Sequence, residues 1–222
     1  QFDSTGLPIP GNPDKNLCLQ AYHLLKTDYP ELPPVRMHLH KMIPMGAGLG
    51  GGSADGAFAL RLLNKKYKLN IPTQDLIGYA AKLGSDCPFF IINQACYATG
   101  RGEILNSIQL NLSKYYFVLV NPGIHVNTKW AFEQITPAPS NKNLASILSE
   151  PIEEWRDLLV NDLEAPITKA YPAIGNIKNQ LYQLGASYAA MSGSGSTVFG
   201  IFKMKPSDKI KSAFDCSVFI TS

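Results

Sequence analysis

Three features of this chain have residue types and spacing that could do chemistry. The first is Pro44-Met45-Gly46-Ala47-Gly48-Leu49-Gly50-Gly51-Gly52-Ser53-Ala54-Asp55, in which five of twelve residues are glycine. Glycine costs backbone entropy, so this density signals turns or close backbone approach. Where such a loop opens into a helix, the first N–H groups and the positive dipole end meet at one point and form an anion site, most often for phosphate. The second is Asp86 in Gly84-Ser85-Asp86-Cys87-Pro88. An acid between a helix-ending glycine and an apolar run is costly unless it is paired, caps the next turn or takes part in proton chemistry. The third is Lys41, which falls in phase with Val35, Met37 and Leu39. By spacing alone, a strand that simply ends there and a lysine with a task are equal readings.

The elements around these residues decide what sort of loop it is. Val35 to Lys41 alternates apolar and polar residues and predicts a strand, and Ser53, a good N-cap, with Asp55 in the first turn predicts a helix to Asn64. The unit is strand, glycine loop, helix. A Walker A loop needs Lys and then Ser or Thr after the last glycine, whereas Gly52 is followed by Ser53 and Ala54. A protein-kinase glycine loop lies between two strands, which this one does not. Gly46, Gly48 and Gly51 do satisfy the dinucleotide pattern, but Leu69-Asn70-Ile71-Pro72-Thr73 reads as a turn where a second strand and its acid belong.

Elsewhere, Asp3 to Asp14 reads as a loop, and Asn16 caps a helix from Leu17 to Lys26. Thr73 caps a helix to Leu83, and Phe89-Phe90-Ile91-Ile92 looks strand-like. Cys96–Thr99 and Ile104–Ile108 form a hairpin through Gly100-Arg101-Gly102-Glu103. After a strand ending at Val120, Thr128 is a plausible cap and Phe132 lies one turn on, which by itself suggests a core aromatic. The loop from Pro137 to Asn143 is polar and able to move. Amphipathic helices cover 152–160, 163–170 and 174–184, with Trp155 in the core. Met191-Ser192-Gly193-Ser194-Gly195-Ser196 lies between two apolar strands and would alone be a hairpin. A short helix over 205–213 and a strand over 217–221 end the chain. Strands and helices do not alternate strictly, which favours α+β over a doubly wound sheet.

Pro44-x-Gly46-x-Gly48-Leu49-Gly50-Gly51-Gly52-Ser53 resembles the central motif of the GHMP small-molecule kinases, which include galacto-, homoserine, mevalonate and phosphomevalonate kinases. Gly84-x-Asp86-x-Pro88 and the later Met191–Ser196 cluster resemble two further motifs of that family in the right order. The three consecutive glycines are most similar to the form in its cytidyl-substrate kinases, which serve the non-mevalonate route to isoprenoid precursors.

The resemblance implies an α+β fold with two domains. These are an ATP-binding, ribosomal protein S5-like domain over 1–113, incomplete at its start, and a ferredoxin-like domain over 114–222. It implies ATP and Mg²⁺, with Pro44, Met45, Gly46, Ala47, Gly48, Leu49, Gly50, Gly51, Gly52, Ser53 and Ala54 around the nucleotide and Ser53 beside the ion. It implies that Asp86 handles the proton of the acceptor hydroxyl, the 2-hydroxyl of a cytidine diphosphate-linked methylerythritol. Lys41, Thr128 and Phe132 would hold the cytidyl end, with Phe132 stacked on the base, and the second glycine cluster would pack on the nucleotide loop. Family members also carry an Ala-Lys-Ile-Asn-like segment ahead of this region with a catalytic lysine, so this chain alone is expected to turn over poorly. The alternatives are another GHMP kinase acting on a mevalonate- or homoserine-like alcohol, a dinucleotide enzyme using Gly46, Gly48 and Gly51, and a non-catalytic binding module.

Composition is consistent with a globular enzyme. The 222 residues are 45% hydrophobic and 17% charged, with a net charge of +3. Lys and Arg form no blocks, so neither nucleic acid nor an anionic membrane is an expected partner. No apolar run approaches the roughly 18 residues of a membrane span. Cys18, Cys87, Cys96 and Cys216 have no paired spacing and suggest buried, reduced thiols in a cytoplasmic protein. His23, His38, His40 and His125 have no metal-ligand spacing. A monomer or weak homodimer is expected.

Overall fold

Phe2–Gly6 (β1) pairs in parallel with Met37–Lys41 (β2), although nothing in its sequence alternates apolar with polar. The expected loop from Asp3 therefore begins as a strand. Its pairing is supported by polar contacts that periodicity cannot register. Thr5 Oγ1 lies 3.0 Å from His38 Nε2 and 2.9 Å from His40 Nδ1, and Asp3 Oδ2 lies 2.6 Å from His38 Nδ1. The computed structural model describes residues 1–100, 102–138 and 143–221. Arg101 in the hairpin turn, and most of the polar loop after Pro137, lie outside the described residues.

The chain divides into two compact units. Unit 1 comprises Gln1–Met45 and Gly50–Gln109, and unit 2 comprises Gly46–Leu49 with the chain from Leu110 onward. In unit 1, Asn16 accepts from the Cys18 amide and starts α1 (Leu17–Asp28), as its side chain predicted. The helices α2 (Gly51–Tyr67), α3 (Thr73–Leu83) and α4 (Cys87–Ile92) follow, then a hairpin of β3 (Cys96–Thr99) and β4 (Ile104–Ser107). The core is a helical layer in which Ala21 and Leu25 of α1, Leu60 and Leu63 of α2, Ala80 of α3 and Ile91 of α4 are buried together. Each fully buried leucine contributes about 2 kcal/mol.

Three local expectations are corrected here. The α2 helix starts at Gly51 with Gly50 as its cap, so Ser53 is not the N-cap and Asp55 is not in the first turn. Gly50 adopts φ +64°, which lets the chain enter the helix three residues earlier than a cap at Ser53 would. The α3 cap is Pro72 rather than Thr73. Residues 87–92 form a helix and not a strand. Pro88 near its start suits a first helical turn, and a run this short has no period that separates the two states. No second parallel strand follows α2, since α3 does, so the dinucleotide reading lacks its βαβ frame.

In unit 2, β5 (Tyr116–Asn121) leads to α5 (Thr128–Glu133), α6 (Leu144–Ser149), α7 (Trp155–Leu158), α8 (Glu164–Ala170) and α9 (Pro172–Gln183). β6 (Tyr188–Met191), β7 (Val198–Phe202) and β8 (Ser217–Thr221) complete an antiparallel sheet in the order β6-β7-β5-β8. A short 3-10 segment over Asp208–Ala213 occupies the place of the expected last helix. This strand order with helical crossings is the split β-α-β arrangement. The sheet is buried on both faces. Val118, Val120, Ala189 and Met191 face the α8 and α9 side, while Tyr188, Ala190 and Ile201 face Trp155. Asn127, and not Thr128, caps α5 by accepting from the Trp130 amide at 3.0 Å.

All four cysteines are free thiols; Cys18 and Cys87 are buried, whereas Cys96 and Cys216 are only half-buried. Burial first, and the nearby Asp55 carboxylate second, push the Cys18 thiol up from 9.0 to about 11. In the unfolded chain this thiol ionises from about pH 9, so the unfolded state then binds fewer protons and stability falls as pH rises towards 11. Urea unfolding of Cys18→Ala should show a shallower loss of stability over that window than the parent; an unchanged slope would remove Cys18 from the account.

Candidate active site

The β2 strand, the glycine loop and α2 form the expected succession, and its details favour an anion. The first turn of the 17-residue α2 has no side-chain cap. Its leading amides, on Gly51, Gly52 and Ser53, are therefore available at the positive end of a long helix dipole. At Gly51 a side chain has no room: a Cβ would lie 2.7 Å from Ile43 Cγ2 and 3.3 Å from the Lys41 ammonium nitrogen.

Helix α4 carries Asp86 to this region of unit 1. The Ser53 hydroxyl lies near the Cys87 thiol, and the Phe90 ring closes on Gly50, where a Cβ would meet it at 2.9 Å. Burial pushes the Cys87 thiol up, while the Ser53 hydroxyl works against that shift. Asp86 is the residue next to Cys87, stands at the N-cap position of α4 and makes no capping bond. Its carboxylate is exposed, with the Ser85 hydroxyl donating to it at 3.4 Å. The β3–β4 turn lies beside it, since a Cβ on Gly102 would be 3.7 Å from Asp86 Oδ1. Asp86 is thus neither paired with a cation among the described residues nor spent on a cap.

Lys41 follows the apolar phase of β2 inward and is 1% exposed. Its ammonium meets Asp55 Oδ2 in a close ion pair. Sequence reasoning placed Asp55 only in a helix turn; a lysine fourteen residues earlier carried no signal that the two would meet. Both residues line a cleft of about 410 Å³ in unit 1 that also takes in Asn12, Asn16, Met45 and Gly52.

The Gly46–Leu49 part of the loop packs within unit 2. The Ser192 hydroxyl donates to the Gly48 carbonyl at 2.7 Å, and the Thr197 amide donates to the Ala47 carbonyl at 3.2 Å. The two glycine clusters therefore touch, as the resemblance implied. Gly48 has φ +73°, and a Cβ there would lie 2.1 Å from the Ser192 carbonyl oxygen. Asn161 Nδ2 donates to the carbonyls of Met191 and Gly193 at 3.0 and 2.8 Å, while its own Oδ1 caps the next turn. The cap is a local feature of the sequence, whereas the bonds to Met191 and Gly193 have no local signature. Thr128 Oγ1 lies 3.0 Å from Ser194 Oγ, which brings Thr128 to the second glycine cluster. Phe132 is 58% exposed, so it is not a core aromatic. No group of three or more His, Cys, Asp and Glu that could hold a metal ion occurs among the described residues.

Residues 16–94 match the family model "GHMP kinases N terminal domain" and residues 143–221 match "GHMP kinases C terminal". The chain is 48% identical over 206 residues to the 4-diphosphocytidyl-2-C-methyl-D-erythritol kinase of Bacteroides fragilis, covering 93% of this chain and 74% of that one. It is 46% identical to the enzyme of the same name from Parabacteroides distasonis, over 97% of this chain and 79% of the other. A crystal structure of 4-(cytidine 5'-diphospho)-2C-methyl-D-erythritol kinase superposes with a TM-score of 0.83 at 27% identity, covering 99% of this chain and 81% of that one. A homoserine kinase from Cytophaga hutchinsonii shares the fold, with a TM-score of 0.63 at 16% identity over 100% and 81% of the two chains.

Gly48→Ala should lower the stability of unit 2 by about 2 kcal/mol, because the Cβ meets backbone and the φ is strained. Ser192→Ala should cost about 1 kcal/mol through the lost bond to Gly48. Chemical denaturation of both variants beside the parent checks the order, and a harmless Gly48→Ala would refute the close-approach argument.

Proposed function

The chain belongs to the GHMP kinase family, and from that premise we propose that it phosphorylates the 2-hydroxyl of 4-diphosphocytidyl-2-C-methyl-D-erythritol with ATP. The reaction belongs to the non-mevalonate route to isoprenoid precursors. The observation that carries the reading is the uncapped glycine-loop entry to α2 in a chain closely related to kinases of that name.

Phosphoryl transfer is mostly positioning and charge stabilisation. The loop from Pro44 to Ala54 holds the ATP phosphates through backbone amides. Mg²⁺ enters with ATP as part of the nucleotide substrate. A site with few protein donors suits it, because Mg²⁺ keeps waters and takes phosphate oxygens with one or two protein ligands. The Ser53 hydroxyl, at the third position of α2, would be the loop's ligand to the ion. Asp86 orients the acceptor hydroxyl and accepts its proton as the oxygen attacks; its exposure and freedom from a cap leave the carboxylate available for that task. Thr128 and the exposed Phe132 take the cytidyl end, with the ring as a stacking platform for the base. Lys41 serves the cleft it shares with Asp55.

No helix among the described residues is long and apolar enough to cross a membrane. With four free thiols, the reading places the enzyme in the cytoplasm as a monomer or weak homodimer.

A coupled assay on the full-length protein, offered the cytidyl substrate beside mevalonate, homoserine and galactose, tests the assignment. Turnover of the cytidyl substrate alone is the expected result, and turnover of another alcohol alone would discard it. Asp86→Asn should lower kcat by about 10²- to 10⁴-fold with little change in either KM. Phe132→Ala should raise KM for the cytidyl substrate about tenfold or more and leave KM for ATP unchanged; equal effects on both would remove the stacking role.

A further inference from the structure

The ion pair between Lys41 and Asp55 is an odd thing to find for stability alone. Lys41 is 1% exposed, so its ammonium has given up nearly all its water. A pair buried to that degree recovers little net free energy relative to apolar side chains of similar size. What the pair does provide is a carboxylate fixed in one place. Lys41 holds Oδ2, while the Asp55 side chain remains 25% exposed on the cleft beside the start of α2. The other oxygen, Oδ1, has no hydrogen-bond partner among the described residues.

The charge balance narrows what can meet that oxygen. A lone carboxylate five residues into α2 would repel phosphate from the helix entry. Paired with Lys41, it adds no net charge there, and Lys41, whose ammonium is spent on Asp55, offers the cleft only a sliver of its surface. An ionised carboxylate only accepts hydrogen bonds.

We propose that Asp55 is the ligand-facing member of the pair, accepting a hydrogen bond from an uncharged hydroxyl or amino group of a bound substrate, and that Lys41 is a positioning residue acting through it. This deepens the kinase reading and rests on it. Both ATP and the cytidyl acceptor carry hydroxyl and amino donors, so the experiment must separate them.

The test measures Kd by calorimetry for Mg·ATP and for the cytidyl substrate, with wild-type turnover recorded in parallel. Two double variants remove the charges together so that no lone charge is left buried. They are Lys41→Met with Asp55→Leu, and the near-isosteric Lys41→Gln with Asp55→Asn. The apolar pair should melt close to the wild type, as a merely structural ion pair would also allow. It should nevertheless bind one of the two ligands about tenfold or more weakly, and the other within about twofold. The Gln/Asn pair, which keeps an acceptor, should recover part of that loss. Wild-type affinity for both ligands in the apolar pair would overturn the proposal. So would an equal loss for both ligands in the two double variants. Failure of the full-length wild type to turn over would count against the kinase reading instead, and the binding comparison would still decide the role of Asp55.

Discussion

Two glycine-rich pieces of backbone lie against each other at Gly48, and much of unit 2 depends on that contact. The Gly48 carbonyl accepts from the Ser192 hydroxyl, and the Ser192 carbonyl occupies the space a side chain at Gly48 would need. Such an approach is possible only where a Cβ is missing and φ can be positive. The same strip is tied down from other directions. Asn161 holds the carbonyls of Met191 and Gly193, and Glu164 accepts from the Met191 amide while pairing with Lys178. The sheet buried on both faces supplies the rigid base from which this loop contact is held. The glycine loop is therefore shaped as much by what packs on it as by its own composition.

In unit 1 the corresponding constraint is the meeting of α4 with the start of α2. The approach of Cys87 to Ser53 and the ring of Phe90 on Gly50 bring α4, with Asp86 at its cap position, to the uncapped start of α2. A carboxylate that caps nothing and has no cation partner among the described residues, near amides without a side-chain cap, suits the proton handling and phosphate binding proposed for them. Lys41 shows the opposite arrangement, with its charge neutralised within the protein by Asp55.

The relation between chain and site was legible where the physics is local. The α1 cap at Asn16, the inward phase of Lys41, the β3–β4 hairpin and the final strand all follow from propensity and period. Local rules failed where another local choice was available, or where a tertiary contact outweighed them. Gly50 began α2 before Ser53 could cap it, and Asn127 took the cap expected of Thr128. Polar cross-strand contacts sustained β1 without any apolar alternation. Residues 87–92 became a helix because packing on α2 and α3 decided between two states that six apolar residues leave open.

By itself, then, the order of residues determined that a glycine loop runs from a strand into a helix, that an acid in need of a task stands at position 86, and that a second glycine cluster lies in a hairpin near the end. Backbone freedom, capping and periodicity act over a few residues, so they can be read from neighbours. Only the tertiary structure decided that Lys41 would be closed off by Asp55 fourteen residues later, and that Ser192 would bond Gly48 across a separation of 144 residues. Those partners meet because burial and hydrogen-bond satisfaction are settled across the whole folded unit, and such pairings have no period in the chain from which to be inferred.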